Sequence, residues 1–286
     1  MAEFLTPGQY FRLTGIRARK SFGQHFLAQP ATAARIVHSA DLAESDVVVE
    51  IGPGLGALTR FLVESVRRLH LVELDREMAA YLRERLPPEC GAEVHEQDAV
   101  GFDFEGLRAA EGKRLVLLGN LPYSISSALV FRLLEAFPAV GRAVFMVQKE
   151  VGERFAAAPG SGEYGVLSVL LGLYATVRPL FPVGPGQFFP PPKVDSLVIR
   201  IDFNDTPPPG PPFDFLRKLV STAFQQRRKT LKNCLKGVFG LSPSGLDRAF
   251  AETGIDPARR PETLSPREFL ALAQSVRALG SSGNRL

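Results

Sequence analysis

The sequence predicts an α/β protein: a doubly wound, mostly parallel sheet covered by helices, followed by a smaller C-terminal helical domain. Three observations lead there. Short apolar runs alternate with segments of helical periodicity from Pro30 to Gln148. One of those runs, Val47-Val48-Val49-Glu50-Ile51, breaks abruptly into Gly52-Pro53-Gly54-Leu55-Gly56. Finally, Thr206-Pro207-Pro208-Pro209-Gly210-Pro211-Pro212 cannot be helical and reads as a stiff linker, and helical periodicity resumes over 213–278.

The elements follow in order. A helix is expected from Pro30 to Leu42, with Ile36, Val37 and Leu42 buried, before the strand Val47 to Ile51. The segment Ala57 to Ser65 is helical, Leu69 to Leu74 a second strand, Glu77 to Leu86 a helix, and Ala92 to His95 a third strand. Leu115 to Leu118 is the fourth strand, Ser126 to Ala136 a helix, and Arg142 to Gln148 the fifth strand. Tyr174 to Pro179 and Ser196 to Phe203 read as extended and can close the sheet as an antiparallel pair. Beyond the linker, Ser242 and Ser265 are candidate N-caps, each followed by a proline suited to the first helical position. The division is therefore set at residues 1–207 and 208–286, with 1–30 as a basic N-terminal arm.

The chain has 286 residues, 45% of them hydrophobic and 22% charged, which suits a soluble globular protein rather than a disordered or membrane-spanning one. Its net charge of +4 is modest but uneven. Arg217, Lys218, Arg227, Arg228, Lys229, Lys232 and Lys236 face only Asp214 within 213–240, and Arg12, Arg17, Arg19 and Lys20 face only Glu3 within 1–30. Two basic patches on a mildly acidic body predict a polyanionic partner, because neutralised phosphates release counterions. Cys90 and Cys234 stand far apart and outside any CxxC or Cys/His cluster. Reduced thiols, no disulfide framework and no metal are therefore expected. A secretory h-region is missing from the start of the chain, and the apolar stretch Gly165 to Val177 is too short to span a bilayer. A cytoplasmic protein without a membrane partner is the expectation.

The chemistry gathers at predicted strand ends. Asn120-Leu121-Pro122-Tyr123 follows the run Leu115 to Leu118 and the breaker Gly119. It sets a carboxamide, a proline without an N–H and an aromatic ring where open α/β sheets hold their ligands. An amide oxygen and a backbone carbonyl can accept from an exocyclic amino group while the ring stacks on a planar base. The glycine turn at Gly52 and Gly54 lets backbone approach a ligand closely. Glu73, at the end of the second strand, stands where this fold holds ribose hydroxyls. A nicotinamide dehydrogenase and an S-adenosylmethionine methyltransferase both satisfy these features. The GxGxG spacing, in place of GxGxxG, and a further acid at Asp98 that can accept from an adenine amino group favour the methyltransferase.

With these pieces aligned, the chain resembles the ribosomal small-subunit (16S-type) RNA adenine N6,N6-dimethyltransferases, the kasugamycin-sensitivity enzymes, almost from end to end. The resemblance is carried by Lys20 to Leu27, Glu50 to Gly56, Val72 to Asp75, Gln97 to Ala99, Asn120 to Tyr123, Gln148 to Val151, Phe188 to Ser196 and Ala223 to Leu231. It implies a Rossmann-like class I methyltransferase sheet and S-adenosylmethionine as cofactor. It further implies two adjacent adenosines of 16S rRNA in the assembling 30S subunit as substrate, modified by an enzyme expected to be monomeric. By that likeness His25 and Leu27 contact the methionine end of the cofactor, Gly52 lines the turn beneath it, Glu73 holds its ribose and Asp98 its adenine. Asn120 then bridges cofactor and substrate amine. The family usually carries Asn where this chain has His25, whose imidazole makes similar hydrogen bonds. Asn120 and the Leu121 carbonyl are expected to accept the N6 hydrogens, Pro122 to fix the local backbone, Tyr123 to stack on the base and Phe188 to close its other face. Arg217, Arg227, Arg228, Lys229 and Lys232, at spacings that can share a helix face, are expected to grip rRNA phosphates. The alternatives are the erythromycin-resistance type, which modifies one adenine of 23S rRNA, and a non-catalytic assembly or transcription factor on the same fold.

Overall fold

In the computed structural model, residues 4–15, 24–226 and 228–282 are described. Arg17, Arg19, the motif residues Lys20 to Gly23, and Arg227 lie outside them. The first half of the chain runs α1 (Pro7–Thr14), β1 (Phe26–Leu27), α2 (Pro30–His38), β2 (Val47–Ile51), α3 (Thr59–Ser65), β3 (Arg68–Glu73), α4 (Arg76–Arg85), β4 (Ala92–Glu96), α5 (Phe104–Glu111), β5 (Leu115–Asn120), α6 (Ser126–Glu135) and β6 (Val140–Gln148). It continues through α7 (Lys149–Phe155), α8 (Val166–Tyr174), β7 (Ala175–Val183), β8 (Phe188–Phe189), β9 (Ser196–Phe203), α9 (Phe213–Phe224), α10 (Leu231–Leu235), α11 (Pro243–Thr253) and α12 (Pro266–Ser282).

Among the described residues, seven strands form one sheet in the order β4-β3-β2-β5-β6-β9-β7. The pairs from β4 to β6 are parallel, and β9 joins β6 antiparallel. β2 and β5 read as continuous apolar runs because both sheet faces are covered; every residue of β2 is buried, including Glu50. The order reverses at β2, which has β3 on one side and β5 on the other. Its register sets Ile51 against Gly119 and against Val72. The Gly52 turn, Glu73 and Asn120 therefore emerge together at the carboxyl ends of neighbouring strands, the crevice where such sheets bind ligands.

The chain divides into two compact units, one of residues up to 152 with 176–205, the other of 153–175 with 206–286. This departs from the division at 207/208 expected from the sequence chiefly in the segment 153–175, with the later boundary two residues earlier, at 205/206. The cause is α8, which buries Leu167, Val169, Leu170, Leu171, Leu173 and Tyr174. A helix apolar on all sides has to be wrapped, and α9 and α12 pack on it. Tyr164 donates its hydroxyl to the Leu264 carbonyl at 2.9 Å in the same unit. Residues 206–212 carry neither helix nor strand. Ser242 caps α11 by accepting from Gly245 N at 3.1 Å, and Ser265 and Glu268 form a reciprocal cap at the start of α12.

Three elements differ from the sequence reading. The helix expected from Pro30 to Leu42 ends at His38, because Asp41 takes a left-handed φ of +53°, and Leu42 is only partly buried. α1 lies inside the expected basic arm, started by Thr6 and Gln9, which cap each other across Pro7. The basic stretch 217–236 is not one helix face, because α9 ends at Phe224 and α10 begins at Leu231. Exposed Arg228 and Lys229 sit in the intervening turn.

Candidate active site

The strand ends enclose a cavity of about 280 Å³. His25, Leu27, Gly52, Gly54, Glu73, Asp98, Asn120, Leu121, Pro122 and Tyr123 all line it, so residues spread over nearly a hundred positions of sequence meet in one place. Gly52 and Gly54 have φ of +62° and +55°, a left-handed conformation that costs glycine nothing. A Cβ on Gly54 would stand 3.0 Å from the Phe26 ring. Floor and turn are thus packed tightly enough to exclude larger residues.

Glu73 is tied down before any ligand arrives. Gly54 N–H donates to its Oε2 at 3.0 Å and Asp75 N–H to its Oε1 at 2.8 Å. Burial pushes its carboxyl pKa up, and these two backbone donors oppose the shift. Each oxygen keeps a second lone pair, so the carboxylate can still accept from a pair of hydroxyls. Asp98 accepts from Val100 N–H at 2.9 Å, starting a single 3-10 turn, and stays exposed at the cavity edge. It is a turn cap and a cavity residue at once. Asp75 caps α4 through Glu77 N–H at 3.0 Å and receives Gln24 Nε2 at 2.9 Å.

The Asn120 to Tyr123 segment is fixed from three sides. Leu121 N–H extends the β5–β6 ladder by donating to the Met146 carbonyl at 3.0 Å, while among the described residues none donates to the Leu121 carbonyl. Asn120 Nδ2 donates to the His25 carbonyl at 2.9 Å. His25 in turn holds Pro190 O at 2.8 Å through Nδ1, which must carry the proton because a carbonyl only accepts. The rings of His25 and Tyr123 stand 5.7 Å apart at 30°, and the Tyr123 hydroxyl lies 3.4 Å from Ser196 Oγ. Beside the motif, Ser124 lines the cavity, whereas Ser126 is buried with its hydroxyl on the Pro122 carbonyl at 3.2 Å.

Phe188 is the exception among the expected residues. It pairs with Leu27 across the β1–β8 ladder and is buried in the hydrophobic core, outside the cavity lining. Alternation along the strand turns Phe189 outward, where it is 46% exposed and near the Phe11 ring. Glu50 is a site residue that the sequence reading does not pick out. It lines the cavity, accepts from Thr59 Oγ1 at 2.7 Å, and burial drives its pKa up to about 8. The available signal is a lone acid within the run Val47 to Ile51, and buried acids mark functional sites more often than chance. The expected RNA-contacting residues lie in the second unit. Arg228 and Lys229 are exposed, Lys232 pairs with Asp247, and Arg217 is partly buried.

The donors fit an adenosine-bearing cofactor: paired acids at two strand ends, a glycine turn, and an amide oxygen held outward. Residues 15–277 match the family model described as ribosomal RNA adenine dimethylase. The ribosomal RNA small subunit methyltransferase A of Nitrosococcus oceani is 46% identical over 261 residues, covering 91% of this chain and 96% of that protein. The protein of the same name from Laribacter hongkongensis is 47% identical over 256 residues, covering 89% and 94%. A solved dimethyladenosine transferase from Plasmodium falciparum superposes with a TM-score of 0.72 at 27% identity, covering 87% of this chain and 96% of that one. The 23S rRNA methyltransferase ErmE gives 0.66 at 26%, covering 88% and 99%. The chain therefore belongs to the ribosomal RNA adenine dimethylase family, as a class I methyltransferase enzyme that takes its methyl groups from S-adenosylmethionine.

Proposed function

We propose that this enzyme converts two adjacent adenosines near the 3′ end of small-subunit (16S) rRNA into N6,N6-dimethyladenosine, acting as a cytoplasmic monomer on the assembling 30S particle. The observation that carries the chemistry is the Asn120 hydrogen bond to the His25 carbonyl, which directs Nδ2 away and leaves Oδ1 as an acceptor. The small-subunit substrate is supported by identities of 42–47% to relatives bearing that name, against 26% to the 23S enzyme. No helix among the described residues is long and apolar enough to cross a membrane.

An adenine amino group is a weak nucleophile because its lone pair is delocalised into the ring. Bound S-adenosylmethionine supplies an activated methyl group on a good leaving group, so the protein chiefly orients and polarises. Asn120 Oδ1 and the Leu121 carbonyl accept the two N6 hydrogens and draw the nitrogen toward a tetrahedral geometry, which localises its lone pair. Pro122 fixes the backbone and presents no competing N–H. Tyr123 stacks on the base, worth roughly 1–3 kcal/mol, which helps offset extrusion from the RNA stack. Glu73 and Asp98 hold ribose and adenine of the cofactor, with His25, Leu27, Gly52 and Gly54 around it. No general base is needed, because the nitrogen becomes acidic once alkylated. After one transfer a single N6 hydrogen remains, so the second needs room for the first methyl group, and Ser124 is a small residue on the cavity wall beside the motif.

The test is transfer of labelled methyl to undermethylated 30S particles and, separately, to 23S RNA, followed by mapping. Label at two adjacent adenosines of 16S rRNA is expected; label in 23S RNA alone would overturn the substrate assignment.

A further inference from the structure

On β3 and β4, outside the cavity lining, chemistry gathers that methyl transfer does not use. His70 lies opposite Glu93 in the parallel β3–β4 register, and His95 follows Glu93 by two residues, on the same face of its strand. The ligand atoms of His70, Glu93 and His95 all lie within 4.8 Å of one another. His70 Nδ1 is 3.0 Å from His95 Nε2 and 3.6 Å from Glu93 Oε2; His95 Nε2 is 4.0 Å from Glu93 Oε1. We propose that these three residues form a binding site for one divalent transition-metal cation of the zinc type, a clip that fastens the edge strand β4 to β3.

The distances suit that occupant. Two nitrogens each about 2.0–2.1 Å from a tetrahedral zinc stand roughly 3.3 Å apart, close to the 3.0 Å between His70 Nδ1 and His95 Nε2. Two imidazoles and one carboxylate are a donor set that zinc accepts, with a fourth position left for water.

His70 also carries the outer support that metal-binding imidazoles require. Its Nε2 is buried and 3.3 Å from Glu111 Oε1, with its N–H misdirected for a regular hydrogen bond to any described residue. Glu111 is itself held by Arg68. A carboxylate this close to Nε2 favours the ring proton there, which leaves the Nδ1 lone pair facing His95 and Glu93, the face a cation would use. Without a cation, that lone pair, the His95 nitrogen and the Glu93 carboxylate converge with one shared proton between the rings and none for the carboxylate. A divalent cation satisfies all three.

The location assigns the role. β4 is an edge strand, paired on one side only among the described residues, and it runs directly into Gln97 and Asp98 at the cavity. Fastening His95 fixes the strand that carries Asp98. None of the three residues lines the cavity, so zinc retention can be read without any assay of methyl transfer.

The test uses untagged full-length protein, stripped with chelator and dialysed against zinc chloride. Elemental analysis should find one zinc per chain, and thermal unfolding should move up by several degrees. Cobalt chloride should give the visible absorption of a tetrahedral site. Glu93→Gln and His95→Ala, both at solvent-accessible positions, should abolish retention and the thermal shift while leaving the circular dichroism spectrum unchanged. Cys90→Ser/Cys234→Ser should still retain zinc. Failure of the natural sequence to retain zinc, retention unchanged in both strand variants, or loss in the cysteine variant would each overturn the proposal.

Discussion

The side-chain amide of Asn120 donates to the backbone carbonyl of His25 at 2.9 Å, joining the end of β5 to the segment just before β1. A carbonyl can only accept, so the nitrogen of the amide must face it and the oxygen must face away. One hydrogen bond thus decides which end of Asn120 is offered to an incoming amine. That bond belongs to Nδ2, and among the described residues no donor is bonded to Oδ1.

Asn120→Asp tests that orientation with nearly the same shape. A carboxylate would set one oxygen against the His25 carbonyl, and relief of that repulsion displaces the other. The rate of methyl transfer should fall about 10²–10³-fold, the effect of losing one positioned electrostatic interaction, with cofactor affinity changed far less. Single-turnover kinetics with saturating RNA checks this; full-rate transfer by either this variant or Asn120→Ala would refute the amide's role.

Glu73→Gln should weaken cofactor binding. The carboxylate holds the Gly54 and Asp75 N–H groups, and an amide can accept on only one side while its NH₂ confronts the other donor. Losing a charge-assisted hydrogen bond costs about 1.5–3 kcal/mol, or roughly ten- to a hundredfold in Kd. Calorimetric titration reads this directly. Affinity within twofold of the natural protein would remove Glu73 from the binding site.

Neutralising Arg228 and Lys229 should weaken RNA binding and flatten its dependence on salt. Both are exposed in the turn between α9 and α10, where their charges are available to phosphates. For every phosphate that is no longer neutralised, the slope of log K against log salt should fall by about 0.7–0.9. Lys232, whose charge Asp247 already offsets, should contribute less. An unchanged slope in Arg228→Gln/Lys229→Gln would place the RNA surface elsewhere.

How much of the fold and site is legible in the sequence depends on whether the information lies in one stretch of chain. β2, β5 and the caps at Ser242 and Ser265 are visible because β-branched runs and Ser-Pro steps are local signals. Asn120 to Tyr123, the glycine turn and Glu73 are visible because strand ends announce themselves by the residues that break them. α8 reads in sequence only as a stretch too short for a membrane, since what wraps it arrives from residues beyond 206. Phe188 and Phe189 are adjacent, and only the pairing of β8 with β1 decides which is buried. His70 and His95 likewise share no spacing pattern; the β3–β4 register alone brings them together.

Glu50 makes the stability of the protein depend on pH in a definite direction. Burial raises its pKa to about 8, the nearby charge of Glu73 adds to the rise, and the Thr59 hydroxyl opposes it. The unfolded chain loses this proton near the ordinary carboxylate value of 4.5, whereas the folded chain keeps it up to about 8. Between those limits the native state binds more protons, so stability must fall as pH rises, by at most about 1.4 kcal/mol per pH unit, and the full cost is reached above 8. Glu50→Gln retains an acceptor for Thr59 without the ionisation. Its stability relative to the natural protein should be least favourable near pH 4.5 and should improve steadily toward pH 8 in denaturant unfolding. The same group couples to the ligand. S-adenosylmethionine carries a positive sulfonium that its product lacks, so a cation in this cavity should favour the charged carboxylate and expel the proton. At about pH 7, binding of the methyl donor should release more protons than binding of the demethylated product, read from calorimetry in buffers of different ionisation enthalpy. The difference should vanish in Glu50→Gln; equal proton release for both ligands in the natural protein would show that Glu50 does not feel the sulfonium.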